Sequence, residues 1–188
     1  MRRLIRIALI AVASVACLVA ALVVLDRTGL LQFNTESGFS MAPTLPPCGG
    51  GRVIAEGFTY RFRDPRRGEI VVFHAPKTLP CSVVGRRDGD LMGRVVAVPG
   101  QQIWSAGNAI VVDGRPLHEG GWYDARYGEV GSKPIPHTTL AADQYFVLSD
   151  NRADTCDSRV FGPISKASVV GEGIAIVGRN GHASFGTL

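Results

Sequence analysis

The sequence predicts a mostly β protein of antiparallel sheets carried on one N-terminal transmembrane helix. Three observations predict it. Residues 7–25, "IALIAVASVACLVAALVVL", form an uncharged apolar run. The rest of the chain breaks into short runs rich in β-branched residues, separated by Gly, Pro, Asn and Asp. Apart from a single possible helical turn in "PISKASVVG", no later segment carries the 3.6-residue apolar period of an amphipathic helix.

The apolar run comes first. At about 19 residues it is long enough to cross a bilayer as a helix. Arg2, Arg3 and Arg6 precede it, which predicts a cytoplasmic N-terminus and puts everything after Asp26 outside the cytoplasm. A cleaved signal peptide has a shorter apolar core, roughly 7–15 residues, closed by a small-x-small site. This run instead ends "LVVLDRTGLL", which favours an uncleaved anchor over residues 1–27. Residues 26–36 then read as a short tether into an extracytoplasmic domain, 28–188. The strand candidates follow in order: 53–54, 68–73 "GEIVVF", 93–100 "GRVVAVPG", 109–114 "AIVVDG", 144–150 "QYFVLSD" and 171–178 "GEGIAIVG". "VVDGRPL" reads as a hairpin with Asp113–Gly114 at its turn.

Composition narrows the function classes. A chain of 188 residues suits one domain plus an appendage, and low-complexity tracts and repeats are absent. The net charge is +4 and the basic residues look scattered, with no aromatic-basic stripe, so nucleic acid is not indicated. A mildly basic balance suits a lipid bilayer as partner. Of the four cysteines, Cys17 lies in the apolar run; Cys48, Cys81 and Cys156 lie where disulfides are permitted. Cys156 sits in a charged motif, which favours a Cys48–Cys81 bridge. The cysteine spacing fits no zinc pattern, and no metal or organic cofactor is suggested.

Three segments have the residue types for chemistry. In "SGFSMAPTL", residues 37–45, Ser40 follows the anchor closely. The second glycine of a G-x-S-x-G elbow is missing and no βα alternation surrounds it, which excludes an α/β-hydrolase reading. Alone, such a serine is an ordinary turn residue. "SDNRADTCDSR", residues 149–159, packs Asp150, Arg152, Asp154, Asp157 and Arg159 into one loop after the apolar "YFVL". It is either a solvated turn or a buried charge network. In "GRVVAVPG", Arg94 is placed to pair with Asp150 or Asp157.

Together these segments resemble the bacterial type I signal peptidases, Ser-Lys dyad serine endopeptidases. The G-x-S-M-x-P-T-L box is matched by residues 38–45, the strand box by "RGEIVVF" at 67–73, the third box by 93–100 and the fourth by 149–162, in the family's order. The resemblance implies a signal peptidase fold with a smaller β lobe around 101–143. It implies a plasma-membrane enzyme that removes signal peptides from exported preproteins after small-x-small sites. Ser40 takes the nucleophile's place, with its backbone N–H contributing to the oxyanion hole. Thr155 takes that of the hydroxyl orienting the base. Arg94, Asp150, Asp157, Ser158 and Arg159 match supporting positions, read as an ion-pair network aligning two strands. Phe39 and Met41 flank the nucleophile in the implied substrate groove. Gly38 stands where some members carry a second oxyanion hydroxyl, as in the Gram-positive pattern.

One position departs from the family. The lysine that should accept the serine's proton directly precedes the arginine of "RVV", and here that residue is Gly93. The eukaryotic-type histidine is absent there too. Lys77, Lys133 and Lys166 lie in no matching motif, and His74, after the strand box, is the remaining candidate base. Ser149 and Gln101 also replace a family glycine and aspartate. Two functions follow: a peptidase with an unconventional base such as His74 or a water, or a catalytically inactive homologue that binds exported chains or partners by strand addition.

Overall fold

A computed structural model describes residues 2–27, 31–35, 40–45, 51–77, 81, 89–118, 133–153, 156–178 and 183–185. The expectations for Gly38, Phe39, Cys48 and Thr155 fall outside these residues. Helix α1 (Arg2–Arg27) contains a 22-residue stretch, Arg3–Val24, whose most apolar 18 residues have a mean hydropathy of 3.0, long and apolar enough to cross a membrane. Its described side chains are exposed all round, as a helix hydrophobic on every face is when no protein covers it.

The strands run β1 (Leu31–Thr35), β2 (Gly51–Glu56), β3 (Ile70–His74), β4 (Asp90–Ala97), β5 (Gln102–Ala106), β6 (Ala109–Val112), β7 (Arg115–Pro116), β8 (Thr138–Thr139), β9 (Gln144–Leu148), β10 (Ile164–Ser165), β11 (Val169–Gly178) and β12 (Ala183–Phe185). All pairings among the described strands are antiparallel. One sheet has the order β1-β2-β11-β3-β4-β9-β10, with β12 also on β11; a second has β7-β6-β5-β8. Strand β1 corrects the reading of residues 26–36 as a tether: Leu31 pairs with Glu56 and Thr35 with Arg52. "LQFNT" alternates apolar and polar, but five residues beside a helix end, with no hairpin signal, are too short a pattern to stand out.

Two glycine-dependent features shape the sheets. The β6–β7 hairpin closes at Asp113 (φ 50°) and Gly114 (φ 77°), the doubly left-handed pair that a two-residue turn requires. The Asp113 carboxylate accepts from the Gln102 N–H and the Gln101 side chain, whose amide oxygen in turn accepts from the Val98 N–H, so the glutamine after Pro-Gly ties its own turn to this one. In β11, a Cβ on Gly171 would lie 2.6 Å from the Glu56 carbonyl oxygen, so only glycine lets β11 cross β2 this closely.

The core explains why "IVVF" does not alternate. Ile70, Val71, Val72 and Phe73 are at most 1% exposed, because β3 is covered on both faces. Val71 and Phe73 pack with Tyr60, Val95, Tyr145 and Val147; Ile70 packs with Met41, Leu45 and Val53. Each such side chain stabilises the fold by about 1.5–3 kcal/mol. A third cluster joins Val96, Phe146 and Leu148 of the first sheet to Ile103, Ile110 and Val112 of the second, so the two sheets share a core.

Two short helical pieces complete the chain. The turn expected in "PISKASVVG" is the 3-10 turn Lys166–Ser168. The one-turn helix α2 (Ser158–Phe161) was not expected; the Asp157 side chain caps it by accepting from the Arg159 N–H. The disulfide also differs from the favoured Cys48–Cys81 pairing: Cys81 is bonded to Cys156. The topology accounts for it. β4 lies between β3 and β9, so the β3–β4 connection carrying Cys81 and the loop leaving β9 emerge at the same end of the sheet.

A charge network lies beneath the segment joining β2 to β3. Buried Glu69 accepts from the Tyr60 hydroxyl at 3.0 Å, the Arg66 N–H at 2.9 Å and Arg63, which also reaches buried Glu172 at 2.6 Å. Desolvation, then the Glu69 charge, raises the Glu172 pKa; desolvation first and Glu69 second raise that of Tyr60. Arg63 is the countercharge between two buried carboxylates. Replacing it, Arg63→Ala, is expected to cost about 2–3 kcal/mol in urea unfolding at neutral pH, less than the roughly 3–5 of a fully buried pair, because its side chain stays 26% exposed. Glu172 has its folded pKa raised, so its ionised form costs stability above that pKa and ceases to as pH falls through it toward the unfolded value. Without Arg63 the shift is larger, so the deficit of the variant should shrink on acidification; a deficit that stays constant or grows would show that Arg63 does not neutralise these carboxylates.

Candidate active site

The turn at residues 40–45 carries Ser40 and is held from two sides. Met41 and Leu45 are its apolar roots, at most 1% exposed, packed on Val53 and Ile70. Met41 is therefore a core residue and not a wall of the expected groove: its side chain points into the protein beside β3. On the other side, the Ser40 carbonyl accepts from the Asn151 N–H at 2.8 Å, which docks the turn on the chain just after β9.

A buried arginine gathers this corner. Arg94, 1% exposed, gives its Nε and Nη2 to the two carboxylate oxygens of Asp150 at 2.8 and 2.7 Å, a bidentate fork. Its Nη2 also reaches the Thr44 hydroxyl at 3.2 Å, and its Nη1 reaches the Gly68 carbonyl at 2.5 Å. Thr44 in turn donates to Asp150 at 2.5 Å. One guanidinium thus joins β4, the end of β9, the Ser40 turn and the residue before Glu69. Of the two carboxylates open to Arg94 in the sequence, the structure selects Asp150.

Asp157 has its own arginine. Arg159 forks onto it at 2.9 and 2.6 Å, and its Nη1 also donates to the Arg152 carbonyl at 2.8 Å. Asp157 accepts from the Ser149 N–H and the Ser158 hydroxyl from the Val147 N–H, so the start of α2 is stitched along β9. Among the described residues two adjacent ion pairs are seen: Arg94–Asp150 joins strands, and Asp157–Arg159 closes the loop onto β9. Arg94, Asp150, Arg152 and Asp157 are at most 2% exposed, and the Arg94–Asp150 and Arg159–Asp157 charges are matched by forked hydrogen bonds. The Cys81–Cys156 bond adds a covalent tie one residue before Asp157.

Gly93 lies in β4 opposite Val71, one residue before Arg94. Strand side chains alternate faces, so the missing Cβ belongs to the face of Val71 and Val95. A Cβ built there would lie 3.2 Å from the Val147 Cβ and 3.5 Å from the Leu148 carbonyl oxygen. Its surroundings are apolar: Val71, Phe73, Val95 and Val147 form one cluster with Leu91 at its edge. An amine in this place would be desolvated and its pKa lowered.

The other bases are placed differently. His74, three residues past Val71, projects from the opposite face of β3. Its ring is 69% exposed, with Nδ1 2.7 Å from Asp90 Oδ1. Lys166 is paired with Asp64, and Lys77 and Lys133 are exposed. Among the described residues no group of three or more His, Cys, Asp or Glu is arranged to hold a metal. Sequence reasoning missed Thr44 and Asn151, the residues that fix the Ser40 turn. Thr44 was readable as part of the matched box, but Asn151 acts through its backbone, for which no side-chain signal exists.

Comparison with known proteins gives the family. The family model described as signal peptidase, peptidase S26, matches residues 6–177. Signal peptidase I of Leptolyngbya laminosa is 29% identical over 150 residues, 78% of this chain and 70% of that protein. Probable signal peptidase I-1 of Synechocystis is 33% identical over 136 residues, 72% of this chain and 65% of that protein. A crystal structure of a signal peptidase I from Enterococcus faecalis aligns with 24% identity over 58% of this chain and 97% of its own, at a TM-score of 0.44. With the family match running from within α1 to the end of β11, the chain belongs to the signal peptidase family, peptidase S26.

Proposed function

We propose that the protein is a membrane-anchored signal peptidase I-like serine endopeptidase. Residues 1–27 are the cytoplasmic N-terminus and anchor in the plasma membrane. Residues 28–188 are the extracytoplasmic peptidase domain, with the lobe at 101–143. The substrates are preproteins bearing signal peptides, cut after small-x-small sites. The observation that carries this reading is the fixing of the Ser40 turn, through Thr44 and Asn151, to the Arg94–Asp150 pair beside an apolar wall.

Ser40 Oγ attacks the scissile carbonyl carbon, its proton leaves to a base, and the amine departs carrying a proton; water then hydrolyses the acyl-enzyme. Thr155 stands at the orienting position. With Gly93 in the lysine's place, no side chain supplies the base there, and the acceptor is a water from the solvent. His74 is a poor substitute, since its ring is 69% exposed and engaged by Asp90. Loss of a general base lowers the rate by about 10²–10⁴. The native chain is therefore expected to cleave a preprotein slowly, and Ser40→Ala to abolish the cleavage; mass spectrometry of the products reads both, and cleavage that survives Ser40→Ala would assign the activity to something else.

The same Gly93 favours a second reading, an inactive homologue that holds exported chains in the old groove. One substitution separates the two. Gly93→Lys needs β9 to yield by a few tenths of an ångström at Val147, and it puts the amine among Val71, Phe73 and Val95. If the site is otherwise competent, single-turnover cleavage should rise by about 10²–10⁴. A folded Gly93→Lys protein with no cleavage would favour the binding reading.

A further inference from the structure

The loop between β9 and α2 is held in two unlike ways. Its ends are held by buried ion pairs. Asp150 is forked by Arg94, and Asp157 by Arg159, whose Nη1 also takes the Arg152 carbonyl. Between these ends solvent reaches the chain: Ala153 is exposed and Cys156 half-buried. Here the tie is covalent. Cys156 is bonded to Cys81 across a sequence separation of 75, with the two Cα atoms 5.8 Å apart.

The bond is a few steps from the nucleophile. Asn151 gives its N–H to the Ser40 carbonyl at 2.8 Å, and its side-chain oxygen accepts from the Ala153 N–H at 3.1 Å. Cys156 is three residues past Ala153, a reach of at most about 11 Å. Thr155, at the place of the orienting hydroxyl, directly precedes Cys156. On its other side the bond meets the sheet. Cys81 belongs to the connection between β3 and β4, which is closed by the His74–Asp90 pair at 2.7 Å. β4 runs on from Asp90 to Arg94, so the bond anchors the loop to the strand that also carries the fork on Asp150.

Both cysteines are half-buried, so a thiolate has access to the sulfurs. Exposed disulfides are the labile and regulatory kind, whereas structural ones resist reduction. The frame around this bond does not use it. The β3–β4 and β4–β9 pairings and both forks involve neither cysteine. Opening the bond therefore removes one tie from the loop and leaves its ends in place.

We propose that Cys81–Cys156 is a redox switch on the Ser40 site. Oxidised, it ties Cys156, and through it the chain back to Asn151, to the β3–β4 connection. A dithiol protein on the extracytoplasmic side opens it. One partner thiolate attacks a sulfur of the bond, and the other cysteine leaves as a thiolate and takes a proton. The partner's second thiolate then resolves the mixed disulfide. Two electrons pass to this chain: Cys81 and Cys156 become thiols and the partner becomes a disulfide. The reverse exchange with an oxidised partner closes the switch. Reduced, the loop loses its middle tie and Asn151 loosens its hold on the Ser40 turn. The effect on cleavage rests on the peptidase reading; the effect on the loop does not.

The test uses the full chain in detergent, oxidised or treated with dithiothreitol without denaturant. Alkylation and mass spectrometry should find Cys81 and Cys156 protected before reduction and modified together after it. Amide exchange over 151–157 should speed up about tenfold, with circular dichroism unchanged. Single-turnover cleavage of a preprotein should fall about tenfold and return on reoxidation. Cys81→Ser and Cys156→Ser should each show the reduced rate and ignore dithiothreitol. Cys48→Ser should respond as the native chain does; loss of its response would overturn the assignment to the Cys81–Cys156 pair. A bond that opens only in denaturant, or a reduced chain that unfolds, overturns the switch and leaves a structural staple. Ser40-dependent cleavage at one rate in both states overturns it too. If neither state cleaves, the peptidase reading fails and exchange alone decides the switch: acceleration confined to 151–157 supports it, and unchanged exchange overturns it.

Discussion

The buried fork between Arg94 and Asp150 is the interaction on which the rest of the site depends. Removing both charges from water costs several kcal/mol each, and their attraction offsets this only when the remaining donors and acceptors are also satisfied. Here the fork uses two guanidinium nitrogens, while Gly68 and Thr44 take further hydrogen bonds. The pair therefore acts through registration more than through net stabilisation. β4 next to β9, the Ser40 turn on top of them, and the entry to β3 all fit only when this one guanidinium is fully engaged. Lysine would not serve at this position, because a single ammonium cannot match the planar fork while also holding two further acceptors.

That economy explains how a site can keep its shape without its expected base. Position 93 contributes nothing to the fork; it is simply the preceding residue, on the other face of β4. Glycine there leaves the Val147 Cβ 3.2 Å from where a side chain at 93 would begin. The turn, the carboxylates and the helix cap are held by bonds that never involve residue 93. Loss of the base and loss of the scaffold are thus separable events, and the scaffold alone gives no reason for the site to collapse.

Much of this was legible in the sequence. The apolar run, the Asp113–Gly114 turn and the doubly buried "IVVF" strand each have a local signature, and the matched boxes brought Ser40, Arg94 and Asp150 to one place. The parts that were not legible depend on distance in space. β1 is a five-residue strand whose identity comes from β2. The Cys81–Cys156 bond follows from strand order, which no spacing along the chain reveals. Met41, expected to line a groove, is drawn into the core by Leu45, Val53 and Ile70. The arginines looked scattered because their significance lies in which of them the fold uses: Arg63 and Arg94 are spent inside, and Arg61, Arg66 and Arg67 are left exposed.

The two ways of holding the loop after β9 bear on each other. A peptidase working on a chain that emerges from a bilayer must hold its nucleophile at a fixed height, and a single membrane helix is one point of attachment, about which a domain has freedom to tilt. Precision at the nucleophile therefore depends on stiffness within the domain. The forks on Asp150 and Asp157 supply it in either redox state, because thiol exchange leaves an ion pair untouched. The Cys81–Cys156 bond adds to it only while oxidised. A covalent tie in the middle of the loop can thus be opened without dismantling the frame at its ends. The Asn151 N–H, which holds the Ser40 carbonyl one residue past Asp150, is where the two meet.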